Sequence, residues 1–206
     1  MRRILFQGDS ITDVDRSYNS DENMGHGYAT LTAAQLGYEE AGKVEFFNRG
    51  VSGNRIVDVY ARIKRDIINL KPDVMSILIG VNDVWHEVDI QNGVDAEKYY
   101  KIYSMLVEEI KAALPDIKIM ILEPFVENCV ATAEKYDYFR TEVEKRAEKA
   151  KLIAEKYNLK FVPLQNKFDE ALQKAPVEFW TRDGVHPTTA GHQIITNEWI
   201  KAYKSL

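Results

Sequence analysis

Short runs of consecutive apolar residues alternate along the chain with longer stretches in which apolar side chains recur every three or four positions. The runs predict five β-strands, at residues 4–6, 44–47, 74–79, 117–122 and 161–162. Because these runs are continuously apolar rather than alternating, they indicate strands of a sheet that is covered on both faces.

The periodic stretches predict amphipathic helices between the strands, at residues 56–70, 99–113 and 139–157 and in a last helix from residue 188. Asn158 is expected to close the third of these helices, and Thr188 to cap the N-terminus of the last. Since parallel strands need helical crossovers, the alternation predicts a doubly wound α/β fold.

The composition adds limits to this pattern. A chain of 206 residues, 45% of them hydrophobic and 29% charged, with no linker or repeat, is expected to form one domain over residues 1–206. The only cysteine, Cys129, excludes an intramolecular disulfide and a cysteine-based zinc site.

The net charge of −5 at pH 7 argues against nucleic acid and anionic membranes as partners, since both require a basic surface. No apolar segment has the length of a signal peptide or a membrane span, so a cytoplasmic location is expected. Three tryptophans and eleven tyrosines leave room for aromatic patches where copies of the chain could meet as a homo-oligomer.

Clusters of glycine and polar residues follow three of the predicted strands and precede the last helix. They are Gly8-Asp9-Ser10-Ile11-Thr12, Gly50-Val51-Ser52-Gly53-Asn54, Gly80-Val81-Asn82-Asp83 and Asp183-Gly184-Val185-His186-Pro187. Open α/β sheets bind ligands at the carboxyl ends of their strands, so these clusters are expected to converge on one site.

The residue types in these clusters suit acyl transfer. A serine hydroxyl such as that of Ser10 is a weak nucleophile and needs an adjacent base. His186 is the best base among four histidines, and Asp183 can accept a hydrogen bond from its ring and stabilise the imidazolium. The backbone N–H groups of Ser10 and Gly53 and the side-chain amide of Asn82 are the predicted donors of an oxyanion hole.

Each cluster taken alone also has a structural interpretation. Gly-Asp-Ser is an ordinary turn sequence, and Asp-x-x-His before a helix is often capping chemistry. The acidic residues and histidines show no His-Glu-x-x-His spacing, so a catalytic metal is not expected. Neither a phosphate-binding loop nor a dinucleotide fingerprint is present, and no Gly-x-Ser-x-Gly surrounds Ser10.

Together, and in this order, the four clusters resemble the SGNH hydrolases, the GDSL-type esterases and lipases. Gly8-Asp9-Ser10-Ile11 resembles the nucleophile block, with Ile where the family name has Leu, and Gly53, Asn82 and Asp183 with His186 match the later blocks. The resemblance implies a flavodoxin-like three-layer α/β/α sandwich with a mostly parallel five-stranded sheet. It also implies a Ser-His-Asp triad and no cofactor.

The fuller wording of the blocks is similar to the carbohydrate acetylesterase branch, with acetylxylan esterases as the nearest likeness. The expected activity is removal of small acyl groups, above all acetyl, from a carbohydrate such as a xylo-oligosaccharide. The alternative is a thioesterase or lysophospholipase acting on longer chains, and a non-enzymatic carbohydrate-binding protein is the third interpretation. The polar segment 12–24 argues against a lipase lid, which should be apolar.

Four further residues are predicted to contact the substrate: Asp9, Arg55, Trp85 and Trp180. The two tryptophans adjoin the Asn82 and Asp183 clusters, where an aromatic ring can stack on a sugar, and Arg55 adjoins Gly53, where it can bond hydroxyl groups. The competing interpretation is that these aromatic rings only pack against the core.

Overall fold

The sheet of the computed structural model, which describes residues 1–206, has five strands that all run parallel. They are β1 Arg2–Gly8, β2 Val44–Gly50, β3 Val74–Leu78, β4 Lys118–Leu122 and β5 Lys160–Val162, in the order β2-β1-β3-β4-β5. All five lie where the apolar runs predicted strands. The sheet predicted as mostly parallel is wholly parallel.

Ten α-helices surround this sheet. They are α1 Ser10–Asp13, α2 Tyr28–Glu39, α3 Ile56–Ala61, α4 Ile63–Asp66, α5 Val81–Ile90, α6 Ala96–Ala113, α7 Tyr136–Tyr157, α8 Gln165–Ala171, α9 Val177–Trp180 and α10 Thr189–Tyr203. Asn158 closes α7 with a left-handed backbone, and the Thr188 hydroxyl accepts a hydrogen bond from the Gly191 N–H at the start of α10. Both predicted helix ends are confirmed.

Two apolar cores lie on opposite faces of the sheet, because successive strand residues point to opposite sides. Ile4 and Phe6 of β1 join the core that includes Trp199 of α10. Leu5 joins the core that includes Leu106 of α6. The layers are therefore helix, sheet and helix, and the predicted three-layer α/β/α fold is confirmed.

The prediction of one continuous helix over residues 56–70 is wrong. The chain leaves the helical conformation at Arg62, between α3 and α4, and residues 68–70 form a 3₁₀ turn. The Arg62 guanidinium turns inward, where it donates to Gln7 Oε1 over 2.7 Å and to the Arg49 carbonyl over 2.8 Å. It thereby donates to polar groups at the ends of β1 and β2, which a side chain on the outer face of a straight helix would not reach.

The register brings the predicted site together. Gly8 at the end of β1 lies opposite Gly50 of β2 and opposite Leu78 of β3. The polar clusters that follow these three strands therefore share one edge of the sheet. This edge includes the point between β1 and β3 where the strand order reverses, which is where open α/β sheets bind ligands.

Candidate active site

A chain of hydrogen bonds links the three residues predicted to form the triad. The Ser10 Oγ lies 2.8 Å from His186 Nε2, and His186 Nδ1 lies 2.6 Å from Asp183 Oδ2. The other carboxylate oxygen of Asp183 accepts from the backbone N–H groups of Val185 and His186. This arrangement lets Nδ1 carry a proton toward the carboxylate while Nε2 accepts one from the serine hydroxyl.

Ser10 is presented by the cap of a very short helix. Asp9 is the N-cap residue of α1, and its Oδ1 accepts the Ile11 N–H over 3.0 Å. Ser10 is therefore the first residue after the turn that leaves β1, with its hydroxyl at the carboxyl edge of the sheet.

The segment that holds Asp183 and His186 is fixed by its backbone. Glu127 N–H donates to the Gly184 carbonyl over 2.8 Å, and Ala131 N–H donates to the Asp183 carbonyl over 3.0 Å. Gly184 has a positive φ of 101° and lies so close to Thr132 that no Cβ fits between them. A glycine is required here both by conformation and by space.

Within the hydrogen-bonded chain, His186 and Asp183 stabilise each other's charged form. The hydrogen bond with Asp183 raises the pKa of His186 above its ordinary value, although partial burial opposes this. Burial would raise the pKa of Asp183, but the hydrogen bonds from the His186 ring and backbone outweigh it and lower that pKa. An imidazolium at position 186 is thus favoured, which a base that accepts the serine proton requires.

The predicted oxyanion donors surround the same edge. Neither the Ser10 N–H nor the Gly53 N–H has an acceptor within the protein. The Asn82 side chain uses one amide hydrogen on the Asn54 carbonyl, 3.2 Å away, which leaves the other for a ligand. The segment that contains Gly53 is therefore tied to the first turn of α5, and the role of Gly53 and Asn82 as oxyanion donors stays a prediction.

A cleft of about 160 Å³ opens at Ser10 and His186. Its walls are mostly polar and include Asp15, His26 and Arg182, none of which was predicted as a site residue. They lie in segments without helical or strand periodicity: Asp15 in the polar segment 12–24, His26 just beyond it, and Arg182 directly before the Asp183 cluster. Ser52, within a predicted cluster but without a predicted role, also lines this cleft.

Two of the residues predicted to contact the substrate, Asp9 and Arg55, have structural roles. Asp9 is 1% exposed and acts as a helix cap, so a contact with the substrate stays a prediction for this residue. The Arg55 guanidinium bonds the Asp58 carboxylate and the Asn92 carbonyl, and so holds the start of α3.

The two predicted tryptophans pack against neighbouring residues. Trp85 lies against the His186 ring, with 5.9 Å between ring centroids, and also contacts Phe139. Trp180 donates through Nε1 to the Ala175 carbonyl over 3.2 Å. Both are partly buried and neither lines the cleft at Ser10. Trp85 thus supports the imidazole from the side, and a role in substrate binding stays a prediction for both.

His192 also lines the cleft, but it is not placed to act as the base. His192 is buried, which lowers its pKa to about 4, and its Nδ1 accepts the Tyr28 N–H over 3.2 Å. It stays neutral near pH 7 and joins α10 to the start of α2.

No three His, Cys, Asp or Glu side chains are grouped so as to hold a metal ion. No helix combines the length and the apolar character needed to cross a membrane.

Comparison with known proteins gives consistent matches. Residues 6–194 match the GDSL-like lipase/acylhydrolase family. An acetylxylan esterase from Geobacillus stearothermophilus is 34% identical over 97% of this chain and 92% of the relative.

Solved structures agree with that match. A protein from Parabacteroides merdae described as a GDSL-like lipase is 37% identical, covers 98% of this chain and 95% of its own, and superposes with a TM-score of 0.94. The crystal structure of an acetylxylan esterase from Geobacillus stearothermophilus is 33% identical over 98% of this chain and 93% of its own, with a TM-score of 0.86. Two variants of that esterase, a serine-to-alanine and an aspartate-to-alanine replacement, are described as catalytic mutants.

Proposed function

The chain belongs to the GDSL-like lipase/acylhydrolase family, and from this premise we propose that it removes acetyl groups from xylo-oligosaccharides with Ser10 as nucleophile. The family and the acetylxylan esterase relative establish the broader activity, that of a carboxylic ester hydrolase of the acetyl esterase type. The observation that carries the residue assignment is the hydrogen-bonded chain from Ser10 through His186 to Asp183.

The proposed reaction begins with attack of Ser10 Oγ on the acetyl carbonyl. His186 Nε2 takes the hydroxyl proton as the new C–O bond forms, and Asp183 stabilises the resulting imidazolium through Nδ1. The carbonyl oxygen becomes an oxyanion, and the N–H groups of Ser10 and Gly53 with the Asn82 amide are proposed to bind it. The tetrahedral carbon then expels the sugar oxygen, which receives the proton from His186.

The second half of the proposed reaction returns the enzyme to its starting state. A water molecule gives a proton to the neutral His186 and attacks the acetyl-Ser10 carbonyl. The same donors bind the second oxyanion, and the bond to Ser10 breaks as His186 returns the proton to Oγ. Acetate leaves, and no cofactor is needed to balance the protons.

The shape and polarity of the cleft favour a small acyl group on a polar alcohol. Burial of each acyl CH₂ in an apolar channel is worth about 0.8 kcal/mol, so enzymes for long chains benefit from an apolar wall. The cleft at Ser10 is small and is lined by Asp15, His26 and Arg182. Such a wall gives a long chain little apolar surface and offers hydrogen-bonding groups to a sugar, which argues against the thioesterase or lysophospholipase alternative.

Acetate release from acetylated xylo-oligosaccharides tests the substrate, with p-nitrophenyl acetate and octanoate as a chain-length panel. We expect acetate to be preferred, and a preference for octanoate would contradict the proposal. Ser10→Ala should reduce turnover by at least about 10³, as removal of a triad member does.

Ser205→Ala, at an exposed serine near the C-terminus, is the matched control and should keep full activity. A serine-reactive phosphonate should label the unmodified protein and the Ser205→Ala variant once each, and Ser10→Ala not at all. Equal labelling of Ser10→Ala would show that another residue is the nucleophile.

A further inference from the structure

A second cleft, of about 500 Å³, lies beside the end of β2 and holds an unusual density of arginine. Arg16, Arg49 and Arg65 line it together with Asp21 and Asp66, and its one apolar wall is the ring of Tyr18. We call it the arginine cleft. Three guanidinium groups face two carboxylates, so one positive charge is left without a counterpart on a protein whose net charge is negative.

Two of these guanidinium groups are held in place by the fold. Arg16 is buried, with Nε on the Gly50 carbonyl at 2.7 Å and Nη1 on the Ser17 carbonyl at 3.1 Å. Its Nη2 has no partner within the protein. Arg49, whose side chain is 17% exposed, donates through Nη1 to the carbonyl of Asn48. Donors fixed in advance in this way lose little entropy when they bind a ligand.

Arg49 already binds a carboxylate in the manner that a ligand would. Its two terminal nitrogens each contact one oxygen of Asp21, which is the paired geometry that arginine forms with carboxylates. Asp21 belongs to the segment between α1 and α2, and its side chain is 46% exposed. The pair is therefore open to exchange, with water solvating Asp21 when another carboxylate takes its place.

The remaining wall suits a sugar ring. The Arg16 guanidinium lies 4.1 Å from the centroid of the Tyr18 ring, while 61% of Tyr18 is exposed. The exposed part of such a ring can pack on the apolar face of a pyranose. An arginine pair beside an exposed aromatic ring recognises a carboxylate attached to a ring, which is the chemistry of a uronic acid.

We propose that the arginine cleft binds the carboxylate of an acidic sugar residue carried by the substrate. Tyr18 of the arginine cleft and Ser52 of the cleft at Ser10 both donate to the same oxygen of Asp13, so hydrogen bonds through Asp13 link the linings of the two clefts. The role in the substrate rests on the proposed esterase function, whereas binding of the acid itself does not. The single uncompensated charge fits a monoanionic carboxylate better than a dianionic phosphate.

The direct test is a titration of the whole protein with methyl glucuronoside, with methyl glucoside and inorganic phosphate as comparison ligands. Amide NMR shifts and calorimetry measure the binding. We expect only the glucuronoside to bind and to shift the amides of Tyr18 and Arg49. Arg49→Gln should weaken binding by about tenfold or more, as loss of a charge-assisted hydrogen-bond pair does. Asp21→Asn should strengthen it, because the competing carboxylate is gone.

Arg65→Gln and Lys64→Gln form a matched pair, because both positions are exposed on α4 and only Arg65 lines the cleft. Arg65→Gln should weaken binding by about threefold and Lys64→Gln should leave it unchanged. Equal losses in the two variants would show general charge attraction and overturn the proposal. So would binding of phosphate as tight as that of the glucuronoside, or no binding at millimolar ligand.

Measurements of esterase activity provide a second test. With acetylated oligosaccharides that do or do not carry a uronic acid, the acidic substrate should have the lower KM, and Asp21→Asn should widen the difference. If neither substrate is hydrolysed while glucuronoside still binds, the proposed function has failed and the binding site stands. If both are hydrolysed with equal KM and glucuronoside does not bind, the arginine cleft proposal has failed alone.

Discussion

Asp13 and Ser52 are joined by two hydrogen bonds that converge on a single carboxylate oxygen. The Ser52 backbone N–H reaches Asp13 Oδ2 over 2.9 Å, and the Ser52 hydroxyl reaches it over 2.8 Å. Asp13 is the last residue of α1, which begins at Ser10, and Ser52 directly precedes Gly53. The pair therefore fixes the predicted nucleophile relative to a predicted oxyanion donor, and we regard Asp13 as a positioning residue.

Replacement of Asp13 by alanine should lower kcat more than it raises KM. The Ser52 N–H and hydroxyl lose their acceptor, so the segment that carries the predicted donor Gly53 N–H loses this anchor. Loss of an oxyanion donor costs about 10²–10³ in rate, and misplacement of one should cost about 10–10² in kcat. Steady-state kinetics with p-nitrophenyl acetate measure both constants.

Asp13→Asn keeps one acceptor oxygen and should recover much of that loss, while Asp116→Ala at an exposed position should behave like the unmodified protein. A purely structural role for Asp13 predicts instead that activity falls only in proportion to the fraction unfolded. Circular dichroism at the assay temperature separates the two, and an unchanged kcat in folded Asp13→Ala would contradict the positioning role.

The acid limb of the pH profile should report the hydrogen bond between His186 and Asp183. His186 must be neutral to accept the serine proton, and its pKa is raised, so kcat/KM should fall as the pH drops through a value above 6.5. Asp183→Asn removes the group that raises this pKa, so the limb should move to lower pH. The same variant should lose about 10⁴ in kcat, because the imidazole then adopts the wrong tautomer.

A pH series of kcat/KM for the two proteins provides the measurement. Asp169→Asn, in which an exposed acid on α8 is changed in the same way, serves as the control. An acid limb at the same pH in Asp183→Asn as in the unmodified protein would mean that the titrating group is not His186.

The buried Asp9 should make stability depend on pH in the opposite direction from an ordinary surface acid. Burial raises the pKa of Asp9 to about 7 from 3.8, even though the Ile11 N–H bonds its Oδ1. A carboxyl group whose pKa is raised in the folded state contributes its full stability below pH 3.8, and this contribution is lost as the pH rises to 7. Above pH 7 the folded protein contains a buried carboxylate charge. Asp9 Oδ2 has no hydrogen-bond partner to offset the free-energy cost of that charge.

Asp9→Asn keeps the cap and removes the charge, so it should be more stable than the unmodified protein at pH 8, by up to about 4 kcal/mol. The two proteins should have similar stability at pH 4. Urea unfolding at several pH values measures the difference in free energy, with Asp116→Asn as a surface control. A difference that is the same at pH 4 and at pH 8 would contradict the raised pKa.

The strands, and the meeting of the clusters that follow β1, β2 and β3, were predictable from sequence because each rests on local pattern. Continuous apolar runs mark strands that are covered on both faces, and parallel pairing then brings the residues after Gly8, Gly50 and Leu78 to one edge whatever the details of the helices. The Asp183–His186 segment follows α9 rather than a strand, so the proximity of Ser10 and His186, 176 positions apart, depends also on how that segment packs.

What the sequence did not reveal depends on contacts between distant segments. The break at Arg62 arises from polar groups at the ends of β1 and β2, which hydrophobic periodicity does not encode. The cap formed by Asp9 and the pairing of Arg55 with Asp58 use the same residue types that a substrate contact would use. The role of Asp13 was missed because its partner Ser52 lies 39 positions away.

A pair of glycines offers the sharpest test of how the Asp183–His186 segment is held. Gly184 has φ of 101°, and a Cβ there would lie 2.4 Å from Thr132 Oγ1 and 2.5 Å from the Glu127 carbonyl oxygen. Gly42 has φ of 74° but no atom within 4 Å of its added Cβ. Alanine is strained at both positions, and only at position 184 does it also collide with fixed backbone.

Gly42→Ala should therefore cost about 1–2 kcal/mol in the free energy of unfolding, the usual price of a left-handed conformation. Gly184→Ala should cost about 1–3 kcal/mol more, because the overpacked segment must shift. That shift moves the Glu127–Gly184 hydrogen bond and with it His186, so kcat should also fall, whereas Gly42→Ala should keep full turnover. Urea unfolding and kinetics on both variants decide the point, since equal losses of stability with unchanged kcat would show that the segment adapts without disturbing His186.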